Sequence, residues 1–267
     1  MNKYIRYFLL TTKFFLLGFN LNSLRLLTNF RRMLKYVFEN TFVFNAMSNN
    51  RSLRQKNIWE FKKLKKDTLD ITLGNMAKGN SWFHGVTSYA VDIISLCAAC
   101  RIYKPKRIFE IGTYIGYSTY HFALNIEEDG KIFTLDLPKE SKDNTKLNIH
   151  FTTKLFIDRK NKFEQYDFDK LQNKENVVQL FGDSATFDFR QFYNSIDLFF
   201  IDGAHSYEYV KNDTEVALKC CKKGGLILWH DYGRIGFNGV AKFLVEFSID
   251  KEIYVVPGGT LAYMEVE

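Results

Sequence analysis

The chain has 267 residues, with 26 Phe, 3 Pro, 4 Cys and a formal net charge of +7. That length suits one α/β domain plus an appendage with ample core, and so few prolines exclude a Pro-rich, linker-dominated protein. The charge is uneven: residues 1–66 hold 14 Lys/Arg against 2 Asp/Glu, a net +12, and the rest hold 23 against 28, a net −5, which speaks against nucleic acid as a ligand of the larger part.

The basic quarter comes first. Lys13 interrupts its apolar run and no small-residue cleavage site follows, so a secretory signal is not expected. The longest uncharged stretch, Phe14 to Leu24, is shorter than the ~20 residues of a membrane span. Arg6, Lys13 and Asn20 recur every seven residues opposite Ile5, Phe8, Leu9, Phe15, Leu16 and Phe19, and Asn22, Arg25, Asn29 and Arg32 continue the polar stripe. Such a basic, aromatic-rich amphipathic helix suits an anionic membrane surface, which would make the protein cytoplasmic and peripheral. It equally suits a cover for the domain or for a second copy of the chain. Residues 48–66 read as a polar linker running into a charged helix, and the domain boundary is placed at 66/67.

Beyond residue 80 strands and helices alternate. Gly85 to Tyr103 reads as a helix ended by Lys104-Pro105. Cys97 and Cys100 lie within it and read as small core residues; adjacent Cys220 and Cys221 make a poor second zinc pair, no disulfide framework is implied, and a reduced compartment fits. "RIFEIG" is a strand, followed by a helix starting near Gly116 and Ser118. Further strands are "KIFTLDL", "VVQLFGD", "IDLFFID" and "GGLILWHD", with the helix "YVKNDTEVALKCC" between the last two. The chain closes with the helix "GVAKFLVEFS" and a hairpin, "IYVVP" and "LAYMEV", around Gly258-Gly259. This order predicts a Rossmann-like, seven-stranded, mostly parallel sheet with helices on both faces and an antiparallel last strand.

In an open parallel sheet ligands bind beyond the carboxyl ends of the strands. Those ends carry Glu110 and Gly112, Asp136, Asp183, Asp202, then His230 and Asp231. One Asp at a turn is ordinary; a repeated pattern forms an acidic crescent, suited to a ligand bearing hydroxyls, an amino group or a positive centre. The step from Gly112 to Asp136 places a carboxylate where it can accept two ribose hydroxyls. The glycines are spaced G-x-x-x-G, not the G-x-G-x-x-G of a dinucleotide fold.

Glu110-x-Gly112-x-x-x-Gly116, Asp136, Asp183, "FFIDGAHSYEYVKND" and "GGLILWHDY" together resemble the class I S-adenosylmethionine-dependent methyltransferases. More narrowly, they resemble the methyltransferase 24 family, several of whose members sit among polysaccharide-assembly enzymes. The resemblance runs from about Ser81 to the C-terminus. It implies that Glu110, Gly112, Thr113, Gly116 and Ser118 hold the methionine half of S-adenosylmethionine, Asp136 the ribose, and Asp183 and Ser184 the adenine. Asp202 would lie under the sulfonium, beside the acceptor. Metal-dependent O-methyltransferases of this fold ligate a divalent ion, Mg²⁺, at positions matched by Asp202, His230 and Asp231. Where the catechol-type enzymes have a Lys three residues after the Asp, this chain has His205, a candidate general base, with His230 a second.

The expected activity is O-methylation of a hydroxyl on a sugar, glycolipid or other small molecule. The alternatives are a nicotinamide-dependent sugar-modifying oxidoreductase, for which the glycine spacing is wrong, and a non-catalytic membrane-associated binding protein. Residues 138–175 read as an insertion that, with "NSWFHG" and its Trp82 and Phe83, covers the site as a lid.

Overall fold

The computed structural model describes residues 53–60, 69–74, 86–149, 151–160, 167–171, 174–234 and 237–267. The amphipathic leader, residues 61–66, and Trp82 and Phe83 lie outside the described residues. No helix among the described residues is long and apolar enough to cross a membrane.

In chain order the strands and helices are β1 (Arg54–Gln55), α1 (Val86–Tyr103), β2 (Arg107–Ile111), α2 (Tyr117–Asn125), β3 (Lys131–Asp136), α3 (Phe151–Lys160), β4 (Val177–Phe181), β5 (Ile196–Ile201), α4 (Tyr207–Cys220), β6 (Cys221–Trp229), α5 (Asn238–Phe247), β7 (Tyr254–Val255) and β8 (Ala262–Glu265). Their sheet runs β1-β7-β8-β6-β5-β2-β3-β4. Every pairing is parallel except those of β8 with β6 and β7. The seven strands read from the sequence are therefore joined by an eighth, and the antiparallel β8 lies between two neighbours.

Packing explains the strand sequences. β2 and β5 are central and covered on both faces, so they are apolar runs without alternation, with Phe109, Leu198, Phe199 and Phe200 buried. β4 lies at the edge and leaves Val178 and Phe181 exposed. α4 is amphipathic, burying Tyr209, Val210, Asp213, Thr214, Ala217 and Cys220 at helical spacing, and the Ser206 side chain caps its start by accepting from the Tyr209 N–H. α1 ends where Lys104 turns left-handed (φ 48) before Pro105, its N–H donating to the Cys100 carbonyl. All four cysteines are buried and free.

Residues 53–60, read from the sequence as polar linker, are packed onto the domain. β1 extends the sheet by pairing with β7, Leu53 enters one core cluster, and Ile58, fully buried, enters the other. A short apolar residue between charges gives no period to detect, so only the packing reveals the segment. Ile58→Ala is expected to cost about 2–5 kcal/mol, the range for truncating a buried branched side chain. Urea denaturation of the full chain measures it; a loss under 1 kcal/mol would mean the segment docks only loosely.

The topology and register position the site. The chain moves from β2 outward to β3 and β4, then returns to the other side of β2 as β5, so the switch point lies between β2 and β5. Ile111 pairs with Ile201, and Ile201 with Trp229. The following residues, Gly112, Asp202 and His230, therefore leave the sheet side by side, and their N–H groups extend the ladder to Leu135, Ile111 and Ile201 carbonyls at 2.8, 2.9 and 3.0 Å.

Candidate active site

Gly112 is where the two halves of the sheet meet. Its φ is +101°, and a Cβ there would overlap the backbone carbonyl of Asp202. The turn continues through left-handed Tyr114 (φ 50) to Gly116 (φ 77), which starts α2. Beneath it, Glu110 is fully buried and accepts from the hydroxyls of Ser118, Thr119 and, at 2.6 Å, Thr134. Burial pushes its carboxyl up to about 7, against the pull of those three donors. Thr113 is also buried; its hydroxyl shares a 2.7 Å bond with Thr134 and accepts from Gln179. Glu110, Thr113 and Ser118 thus brace the turn from below.

Asp136, half-buried, ends β3 beside this turn, and its carbonyl accepts from the Gly182 N–H. Asp183 is heavily bonded: its carboxylate accepts from the Ala185 N–H at 2.9 Å, the Tyr209 hydroxyl at 2.8 Å and the Lys146 N–H at 2.7 Å. It ties the insertion, the loop after β4 and α4 together. The Ser184 carbonyl accepts from Asn212 of α4.

Four chemical groups converge past β5 and β6. His205 Nε2 lies 3.0 Å from Asp231 Oδ2 and 3.7 Å from Asp202 Oδ1. One donor atom from each of Asp202, His205 and Asp231 falls within 4.8 Å of the others. Neither ring nitrogen of His205 makes an aligned hydrogen bond, although the ring is buried. Two carboxylates and an imidazole so placed fit a divalent ion of the Mn²⁺ or Zn²⁺ kind, and fit Mg²⁺ less well because it prefers oxygen throughout. His230 borders the cluster with both nitrogens taken: its Nδ1 donates to Asp202 Oδ1 at 3.0 Å and its Nε2 to Asp92 Oδ2 at 3.3 Å. With a carboxylate on each nitrogen, its ring has no lone pair facing the cluster. Of the three residues the resemblance offered as ligands, Asp202 and Asp231 meet in the cluster, and His205 stands where His230 was expected.

Local backbone makes this possible. Side chains alternate faces along a strand, which would send His230 and Asp231 apart. Asp231 instead turns left-handed (φ 62), a conformation Asp tolerates better than most residues, and its Oδ1 comes within 3.6 Å of His230 Nδ1 while accepting from Arg234 at 2.7 Å. His205 sits just before the Ser206 cap of α4. Gly239 of α5 packs so closely on that loop that a Cβ would overlap the His205 carbonyl.

The electrostatics follow from burial and pairing. Burial opposes the charged form of each group, but the His230 charge, the nearby His205 imidazole and the His230 hydrogen bond hold Asp202 below the usual carboxylate range, and His230, His205 and Arg234 do the same for Asp231. Conversely, burial would lower both histidines, and the two carboxylates override it and raise them. Asp202 is the open member, its side chain 25% exposed against 4% for Asp231.

An aromatic wall adjoins the cluster. Phe237 lies 4.2 Å from the His205 ring, Phe156 of α3 lies 6.2 Å from Phe237, and Phe156 meets Tyr114 edge-on at 5.8 Å. The insertion therefore crosses the strand ends from Asp183 to Phe237. Asp92 and Phe237 were not singled out from the sequence. Asp92 had a signal, as the one acid in the apolar helix α1; Phe237, among 26 phenylalanines, had none.

Residues 109–232 match a family described as a methyltransferase domain. The chain is 31% identical over 178 residues to tapetum-specific methyltransferase 1 of Arabidopsis thaliana, covering 65% of this chain and 62% of that protein. It is 28% identical over 152 residues to flavonoid 3',5'-methyltransferase of Vitis vinifera, covering 57% of each. The chain spans about half the length of the curated relatives it matches. Among solved structures it is similar to an O-methyltransferase from Bacillus cereus in complex with SAH, with a TM-score of 0.44 and 20% identity, over 66% of this chain and 80% of that one. The matched segment carries every strand end of the crescent, from Glu110 to Asp231, and over that segment the chain is similar to the methyltransferase domain family.

Proposed function

We propose that this domain transfers a methyl group from S-adenosylmethionine to a hydroxyl oxygen of a small ring-bearing acceptor, a sugar or glycolipid precursor being the leading class. The observation that carries this reading is the convergence of Asp202, His205 and Asp231 at the switch point of the sheet, beside the Gly112–Gly116 turn. S-adenosylmethionine, when bound, supplies an electrophilic methyl on a sulfonium. The turn admits its close approach, Asp136 accepts the ribose hydroxyls, and the carboxylate of Asp202 favours the positive centre.

A divalent cation held by Asp202, His205 and Asp231 would lower the acceptor hydroxyl's pKa and orient its oxygen. Without one, His205 takes the acceptor proton on Nε2; the oxygen–methyl bond forms as the sulfur–methyl bond breaks, and the proton later leaves to solvent. The ring nitrogens of His205, free of aligned bonds, leave Nε2 available for either role. Phe237, Phe156 and Tyr114 would stack on the acceptor ring and exclude water from the transfer.

Asp136→Ala tests the cofactor reading. Titration calorimetry should show S-adenosylmethionine binding weakened by about 1.5–3 kcal/mol, the range for hydrogen bonds to a charged group, with the fold intact. Unchanged affinity removes Asp136 from the site, and no binding to the unsubstituted protein removes the cofactor.

A further inference from the structure

We propose that Asp92 is a positioning residue of this site: reaching from α1, it fixes the ring of His230 and through it the carboxylate of Asp202. The proposal rests on the reading that Asp202 lies at the reacting end of the cofactor.

Asp92 is 2% exposed and stands among Ile93, Leu96 and Cys97 on an apolar helix, where a carboxylate survives only if it is fully bonded. Three of its bonds hold the turn between β7 and β8: Oδ1 accepts from the N–H groups of Thr260 at 2.7 Å and Leu261 at 3.3 Å, and Oδ2 from the Thr260 hydroxyl at 2.8 Å. Those bonds alone would serve an anchor. The fourth goes outward, from His230 Nε2 to Oδ2 at 3.3 Å, and the opposite ring nitrogen donates to Asp202 Oδ1 at 3.0 Å. Gly259 makes the approach possible, since a Cβ there would overlap Asp92 Oδ1.

A ring with a carboxylate at each nitrogen has one favourable orientation. Flipping it would turn C–H edges toward both acids and lose both bonds. His230 is therefore a fixed donor, and Asp202, the most exposed acid of the cluster, is held by its Oδ1 where His205 also approaches. Remove Asp92 and the ring gains a second orientation, so Asp202 loses its fixed partner. The helix that precedes the matched segment thereby sets a side chain of the site.

The test compares Asp92→Ala and the near-isosteric Asp92→Asn with Thr260→Val, which removes a bond to the same carboxylate without touching His230. Ring N–H signals of His230, assigned by their loss in His230→Asn, should be two and slowly exchanging in the unsubstituted protein and in Thr260→Val. The signal of the Nε2 proton should vanish in Asp92→Ala, and in Asp92→Asn as well, because the Thr260 and Leu261 N–H groups hold the amide oxygen and leave the amide NH₂ facing His230. Mn²⁺ affinity, read from the free-ion EPR signal, should fall about 10-fold in Asp92→Ala, the lower end of the effect of losing an outer hydrogen-bond partner. In a His230→Asn background Asp92→Ala should add nothing. Additive losses, or an unchanged pair of ring signals in the Asp92 variants, would overturn the proposal and leave Asp92 a turn anchor. If the unsubstituted protein ignores Mn²⁺, the cation reading fails by itself, and the ring signals alone decide for or against Asp92.

Discussion

Alanine in place of Asp231 is expected to weaken Mn²⁺ binding by more than about 100-fold, beyond the ~10–100-fold cost of losing only an outer partner of a ligand. Asp231 is a buried member of the three-residue cluster, 3.0 Å from His205 Nε2, and its removal leaves a single carboxylate among the ligands. Chelator should abolish transfer of labelled methyl from S-adenosylmethionine in an acceptor screen, with Mn²⁺ restoring it, and His205→Ala should also lower the metal affinity. A chelator-resistant activity that falls by about 10²–10⁴-fold in His205→Ala would instead make His205 the base. Cofactor affinity should survive both substitutions, because neither residue is placed at the ribose or adenine. Full activity in chelator together with full activity in His205→Ala would sink both mechanisms and leave proximity as the source of rate.

Gly112→Ala is expected to be severely destabilising. Two costs combine: a backbone at φ +101°, outside what L side chains adopt readily, and overlap of the new Cβ with the carbonyl of Asp202, which is backbone and cannot swing away. Together they should exceed about 4 kcal/mol, the level reached only by core or backbone defects. Gly224→Ala is the control, with φ +76° and nothing within 4 Å, and should cost only the left-handed penalty of about 1–2 kcal/mol. Equal shifts in the denaturation midpoint of the two variants would show that the end of β5 can retreat from Gly112.

The two substitutions bear on one geometric fact. Parallel strands in register deliver successive strand ends to a single line, so Gly112, Asp202 and His230 leave the sheet as neighbours although 118 positions separate the first from the last. Any residue at the end of a strand is therefore placed by the sheet before its side chain is considered. That is why the crescent was legible: each acid closes a recognisable apolar strand, and strand, helix and turn signals are local in the chain.

What a side chain does at that line is another matter. His205 and His230 are both histidines beside an acid, and their surroundings in the sequence do not separate them. Their roles diverge because Asp92 arrives from α1 to take Nε2 of His230 while Asp202 takes its Nδ1, and the left-handed turn at Asp231 leaves the nitrogens of His205 unaligned. Likewise β1 and Ile58 read as linker because two paired residues carry no period, and Phe237 and Phe156 read as two phenylalanines among many. By itself the sequence determined the alternation of strands and helices, the switch-point crescent and its acidic character, since each depends on contacts or periods a few residues long. Only the tertiary structure decided which histidine is bonded at both nitrogens, which acids it pairs with, and which aromatic rings wall the site, because hydrogen-bond direction and packing are settled between segments tens of residues apart, and 138 apart for His230 and Asp92.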